Sequence, residues 1–164
     1  MEKNYILNRE VAARKLKRMA FEILENNFGE KDFILAGIRE SGTAIAKTIQ
    51  DLLKEIAGIP TELITVSLDK KNPQEVTLSS YPEMQDRVII LIDDVCNSGK
   101  TLLYAIKPFL DSHPKKIQTL VLVERSYNAF PVRPDYVGLS VATTLQEHIY
   151  VDVEKGLVEG AWLE

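Results

Sequence analysis

VIILIDDVCNSGKTL, residues 88–102, runs from an uninterrupted apolar stretch into two adjacent aspartates, then a short polar loop, then apolar residues again. A short, fully apolar run is the pattern of a strand buried on both faces, as in a parallel sheet. Residues 99–112, GKTLLYAIKPFLDS, return to helical spacing. The stretch therefore reads as strand, loop and helix, with Asp93 and Asp94 at the carboxyl end of the strand. In open α/β sheets that is where ligands bind.

The loop's chemistry narrows the ligand. Amides entering a helix, with the Thr101 hydroxyl and the helix dipole, suit a phosphate. Carboxylates beside them accept hydrogen bonds from vicinal hydroxyls. A phosphorylated pentose meets both demands. A nucleotide-binding P-loop does not fit SGKT, because the glycine it needs five residues before Gly99 is replaced by Asp94, whose charge would repel a polyphosphate.

Outward from this stretch, strands and helices alternate. Residues 9–27 carry Val11, Ala12, Leu16, Met19, Ala20, Ile23 and Leu24 at helical spacing. Residues 33–38, FILAGI, form a second buried strand, and a helix over 43–57 stops at Gly58 with Pro60 beyond. TELITVSL, 61–68, alternates as a strand. Residues 69–87 are polar and of weak periodicity, a long loop of the kind that serves as a functional arm. Strands follow at 87–92 and 117–125. This alternation predicts an α/β fold with a central, mainly parallel sheet flanked by helices. YVGLSVAT and HIYVDV, in the tail, are strand-like and predict a cap beside the sheet.

Composition agrees with one domain over residues 1–164, large enough to bury a core without disulfides or metal. A net charge of −4 argues against a surface given over wholly to nucleic acid. One cysteine, Cys96, allows no internal disulfide, and no apolar run is long enough to span a membrane. The expectation is a cytoplasmic protein.

VIILIDDVCNSGKT resembles the phosphoribosyl-diphosphate (PRPP) signature of the type I phosphoribosyltransferases. PVRPDYVG, 131–138, and the first helix, ARKLKRMAFEILENN, resemble the pyrimidine-operon attenuator and uracil phosphoribosyltransferase subfamily. The resemblance covers nearly the whole chain. It implies a phosphoribosyltransferase fold with a core of about residues 9–125 and a small hood of about 126–153 joined by the N-terminal segment. It also implies transfer of phosphoribosyl from PRPP to a nucleobase.

By that resemblance Asp93 and Asp94 hold the ribose hydroxyls, and Val95, Cys96, Asn97, Ser98, Gly99, Lys100 and Thr101 bind the 5-phosphate. Arg39, Glu40, Ser41 and Gly42 receive the diphosphate on a strained backbone; read alone, the same residues are a helix start capped by Ser41. Mg2+ is expected as cofactor, held mainly by substrate and water with Asp93 and Asp94 as candidates. Glu124, Arg125, Tyr136 and Val137 are the expected contacts to the base. A homodimer or larger assembly is expected. RNA is a further candidate partner through Arg14, Lys15, Lys17 and Arg18, for which a solvated helix face is the favoured alternative.

Three departures bear on the reaction. An aspartate that serves purine chemistry in the 6-oxopurine enzymes is here Asn97, which cannot act as that base. The lysine that reads the 6-oxo group falls at Glu124. The arm at 69–87 is shorter than in the attenuator subfamily and lacks its arginine, with Lys70 or Lys71 as candidate substitutes. The first two point to uracil, with hypoxanthine or guanine as the alternative. The third leaves open a PRPP-sensing regulator with little turnover.

Overall fold

The computed structural model describes residues 2–69, 71–144 and 146–164; Lys70 lies outside them. The elements run β1 (Asn4–Asn8), α1 (Arg9–Asn26), β2 (Phe33–Ile38), α2 (Arg39–Ala57), β3 (Thr61–Ser67), β4 (Thr77–Leu78) and β5 (Val88–Cys96). They continue with α3 (Lys100–Leu110), β6 (Lys116–Arg125), β7 (Tyr136–Val141), β8 (Ile149–Glu154) and β9 (Leu157–Leu163). Six strands form the central sheet in the order β4-β3-β2-β5-β6-β7, parallel except for β4. As the apolar runs predict, β2 is buried at every position and β5 at all but Asp94.

Two apolar layers flank the sheet. Leu16, Met19, Ile23, Ile45, Ile49 and Leu53 of α1 and α2 pack with Phe33, Leu35, Ile90 and Leu122 on one face. Leu102, Ala105 and Phe109 of α3 pack with Ile34, Ala36, Leu91 and Val121 on the other, joined by Leu78 and Met84 from the arm. Asn8 caps α1, its Oδ1 accepting the Val11 amide at 2.9 Å. Gly58 ends α2 at φ 62°, the left-handed stop the sequence predicts.

A second, three-stranded antiparallel sheet, β1-β9-β8, sits on the α1/α2 side and sends Leu7, Ile149, Val158 and Ala161 into that core. This is the hood, and its boundaries differ from those expected. Tyr136–Val141 is an edge strand of the central sheet, not part of the hood; Gly138 lets it lie so close to β6 that a Cβ would sit 2.3 Å from the Leu122 carbonyl oxygen. The middle strand is β9, beyond the predicted end at 153. Of the arm, Thr77 and Leu78 pair with β3, and the rest carries no regular element among the described residues.

Candidate functional site

The sheet order creates the site. From β2 the chain leaves through α2 toward β3, and from the neighbouring β5 it leaves through α3 toward β6, in the opposite direction. The two loops diverge at this switch point and leave a crevice between them. It is an open cavity of about 970 Å3, lined by Ile38, Arg39, Glu40, Ser41 and Thr43 from the β2 side and by Asp94, Val95 and Asn97 from β5. Thr65, Ser67 and Leu68 at the end of β3, and Ile149 and Tyr150 of the hood, complete the wall.

The two aspartates are not equivalent. Asp94 opens to the cavity, whereas Asp93 is 1% exposed. Asp93 Oδ1 accepts the Asp94 amide and Asp94 Oδ1 accepts the Val95 amide, each at 2.8 Å. These bonds fix the turn out of β5.

The following loop is latched from outside. Gly99 takes φ 86°, in the left-handed region where a Cβ is strained, and α3 begins at Lys100. The Ser98 carbonyl accepts the amides of Ala129 and Phe130 at 3.1 and 2.9 Å, and the Ser98 hydroxyl accepts the Lys100 amide at 3.3 Å. A small recess of about 50 Å3 is lined by Val95, Cys96, Asn97, Ser98, Gly99, Lys100, Thr101 and Leu102. Its start is fixed by Cys96, a buried thiol that desolvation, helped by the charges of Glu124 and Asp93, pushes up to about 11.

The loop after β2 is built differently. α2 starts at Arg39, four residues earlier than predicted, and Ser41 is not its cap: Ile38 holds that position with no side-chain bond. Arg39 takes φ 54°, the strained conformation expected of this loop, with no cis peptide among the described residues. Gly42 is buried and absent from the described cavity lining. A Cβ there would lie 2.6 Å from the Ile92 carbonyl oxygen, so its small size is what lets α2 press against β5 beside the aspartates.

The expected base contacts are not in the cavity. Tyr136 is fully buried and donates its hydroxyl to Gln118 Oε1 at 2.9 Å. Val137 packs in the α3-side core. Both lie two strands from β5, roughly 10 Å at the usual strand spacing, and strand alternation turns their side chains to opposite faces of the sheet. Glu124 pairs with Cys96 across β5 and β6, and Arg125 Nη2 donates to the Glu147 carbonyl. Ile149 and Tyr150, which the sequence reading left unassigned, stand at the cavity instead. The available signal was the alternation of HIYVDV, which turns one side chain in and the next out.

On α1, Arg14 and Lys17 are exposed and Lys15 is half-buried. Arg18 is engaged by its own chain: Nη2 donates to the carbonyls of Val137 and Gly138 at 2.9 and 3.0 Å, and Nη1 pairs with Glu22. Trp162 lies on the outer hood face, stacked on Tyr150 at 4.4 Å with Lys3 over its ring. Among the described residues, no helix is long and apolar enough to cross a membrane.

A crevice thus lies at the switch point, with a carboxylate opening into it and a small recess in the loop beside it. Residues 4–154 match the phosphoribosyl transferase domain family, and the chain belongs to it. Relatives named Bifunctional protein PyrR group with it. That of Clostridium acetobutylicum is 38% identical over 94% of this chain and 92% of its own length, and that of Macrococcus caseolyticus is 34% identical over 94% of each. Among solved structures, the hypoxanthine phosphoribosyltransferase of Trypanosoma cruzi superposes with a TM-score of 0.78 at 12% identity, over 98% of this chain and 95% of its own. A hypoxanthine-guanine phosphoribosyltransferase of Bacillus anthracis gives 0.76 at 18%, over 91% and 88%. At such identities these two share the fold.

Proposed function

We propose that the chain transfers the phosphoribosyl group of PRPP to a nucleobase, with uracil preferred, releasing diphosphate. The observation that carries the reading is the common cavity of Asp94, Asn97 and residues 39–41. In it the ribose hydroxyls donate to Asp94, the 5-phosphate takes the amides from Asn97 to Thr101, and the diphosphate lies along Arg39, Glu40 and Ser41. The reacting sugar gains positive character, so the chain's contribution is to orient the partners and to stabilise the leaving group.

Arg39 is the sole cation among the described lining residues, and Glu40 and Asp94 are anionic. Diphosphate binding against such a wall fits a divalent cation. No cluster of three His, Cys, Asp or Glu able to hold a metal occurs among the described residues. The donors at hand, Asp94 with the hydroxyls of Ser41 and Ser67, suit Mg2+, which keeps waters and shares substrate oxygens. Substrate oxygens and water would mainly hold it, with Asp94 at the cavity and Asp93 buried behind it, and it would supply charge neutralisation of the leaving group.

Base choice follows from Asn97, which lines the cavity as an amide. It donates and accepts hydrogen bonds but takes no proton, so it offers a pyrimidine polar contacts and a purine no acid–base partner.

The decisive assay is turnover with PRPP, Mg2+ and a panel of uracil, hypoxanthine, guanine, adenine and xanthine. Uracil should give the highest kcat/KM, and Asp94→Asn should lower it at least tenfold, on the order of 1.4 kcal/mol. Use of hypoxanthine or guanine without uracil would overturn the base assignment. A second reading, a PRPP-responsive RNA-binding regulator that turns over little, is favoured by the relatives' name, Bifunctional protein PyrR. PRPP binding with no turnover of any base would select it.

A further inference from the structure

A chain of hydroxyls runs under the cavity from the arm to Arg39. Thr43, the fifth residue of α2, has its Oγ1 2.5 Å from the Arg39 carbonyl oxygen and 3.3 Å from that of Gly37. One hydroxyl carries one proton, and the shorter distance assigns it to Arg39. Thr43 Oγ1 is then left as an acceptor, and Thr65 Oγ1 stands 3.2 Å away to donate to it. Thr65 is in turn clasped by the arm: its amide donates to Ser79 Oγ at 2.9 Å, and its carbonyl accepts the Ser79 amide at 2.9 Å.

The post at the centre of this chain is rigid. A Cβ on Gly37 would fall 2.4 Å from Thr43 Cα, so the backbones of β2 and α2 touch there and Thr43 cannot drift. Its bond meets the carbonyl of the one residue of the loop held in a sparsely populated left-handed conformation. Arg39, with Ser67 and Leu68, also lines a second cavity of about 700 Å3, whose other walls are Asp69, Asn72, Gln74, Glu75 and Thr77 of the arm. The residue that Thr43 holds is thus the wall between the reaction cavity and the arm's underside.

We propose that Thr43 is a positioning residue for the diphosphate loop, and that Ser79, Thr65 and Thr43 link the arm to Arg39, so that occupancy of the loop is transmitted to the arm. The proposal rests on the reading in which Arg39, Glu40 and Ser41 receive the diphosphate. Thr43 touches no substrate in it. It acts by keeping the Arg39 carbonyl turned inward, which leaves the loop's amides free to face the ligand.

The test uses the full chain with Mg2+ and inorganic diphosphate. Thr43→Val keeps the shape and removes the hydroxyl. It should weaken diphosphate binding by calorimetry, and raise KM for PRPP, by about three- to tenfold, the range of one hydrogen bond. The change in kcat should be smaller, and Thr43→Ser should stay within about twofold of the wild type. Equal weakening by both variants would overturn the hydroxyl's role in favour of the methyl group's packing. For the link, tryptic cleavage at Lys71 is followed with and without diphosphate. Protection should appear in the wild type and disappear in Thr65→Val, which keeps both backbone bonds to Ser79. Protection that survives in Thr65→Val would overturn the link alone. A wild-type chain that does not bind diphosphate would overturn the reading of the loop and the proposal with it.

Discussion

Two loops face each other across the reaction cavity and are held by opposite means. The loop after β5 bends at a glycine, Gly99, and is latched by backbone amides of Ala129 and Phe130 on the Ser98 carbonyl. The loop after β2 bends at an arginine, Arg39, and is held by the side chain of Thr43, while glycines at 37 and 42 serve only to bring backbones together. One loop spends its glycine on conformation and the other spends its glycines on proximity. A phosphate loop of the first kind is self-sufficient once its neighbour is in place, whereas the second depends on how tightly α2 is driven against β2 and β5.

The largest expected effect follows directly. Gly37→Ala places a methyl 2.4 Å from a backbone carbon, which cannot be relieved by turning a side chain. Overpacking of this kind costs about 1–3 kcal/mol and sometimes more, so urea unfolding should show a loss at the upper end of that range. Gly99→Ala meets the end of the Asn128 amide at 2.6 Å and, less severely, the Val132 carbonyl oxygen at 3.0 Å, plus the strain of φ 86°. It should cost about 1–2 kcal/mol yet weaken PRPP binding as much as Gly37→Ala does. A Gly99→Ala chain less stable than Gly37→Ala would reverse the contrast between the loops.

Next in size is the coupling of Gly99 to its latch. Asn128 Nδ2 donates to the Val132 carbonyl, and its Oδ1 faces Gly99. Removing that amide with Asn128→Ala should make Gly99→Ala less harmful, with a coupling of roughly 1 kcal/mol in a double-mutant cycle. Strict additivity would show that the φ angle alone, not the contact, demands glycine.

What was legible in the sequence divides along the same line. The loop after β5 was readable because its requirements are written in residue types: an apolar run, two carboxylates, then Ser-Gly-Lys-Thr. Arg39 was placed by the family resemblance, but nothing local marks where α2 begins. Neither a capping side chain nor a proline stands there, and the left-handed turn depends on Thr43 and on contacts from β5. The hood was half legible. HIYVDV reads as a strand, but LVEGAWL is broken at Gly160, whose Cβ would lie 2.6 Å from the Leu7 carbonyl oxygen, so the glycine records a tertiary approach. YVGLSV reads as a strand wherever it pairs, and its seat beside β6 is a matter of neighbours. The residues expected at the base are absent from the cavity lining for that reason: its wall is completed by Ile149 and Tyr150 from a sheet whose middle strand was not foreseen.

A pH effect of a different kind is expected at the base of the β5 loop. Burial favours the neutral Cys96 thiol and raises it from 9.0 to about 11 in the folded chain. The folded value lies above the unfolded one, so this contribution to stability is complete below pH 9 and is lost as pH rises toward 11. Relative to Cys96→Ala, the wild type should lose about 2 kcal/mol more over that window. Parallel curves for the two chains would mean that the thiol ionises as freely in the fold as outside it.

The smallest effect compares one hydroxyl from each loop. Ser98 Oγ accepts the Lys100 amide at 3.3 Å, beyond the usual range for a strong bond. The loop's main restraint is the Ser98 carbonyl, which a side-chain substitution leaves intact. Ser98→Ala should therefore change the stability of the unliganded chain by no more than about 0.5 kcal/mol, as is usual where no special feature is touched. Thr43→Val removes a short bond to the carbonyl of a strained residue, so it should cost about 1 kcal/mol. Urea midpoints measured side by side decide the matter, because both substitutions delete one hydroxyl and neither opens a large cavity. If the two losses are equal, backbone latching and side-chain latching are energetically alike here, and the contrast between the loops is one of geometry only. If Ser98→Ala is the costlier, the β5 loop depends on its side chain after all, and the hydroxyl at 3.3 Å holds the helix start more firmly than its length implies.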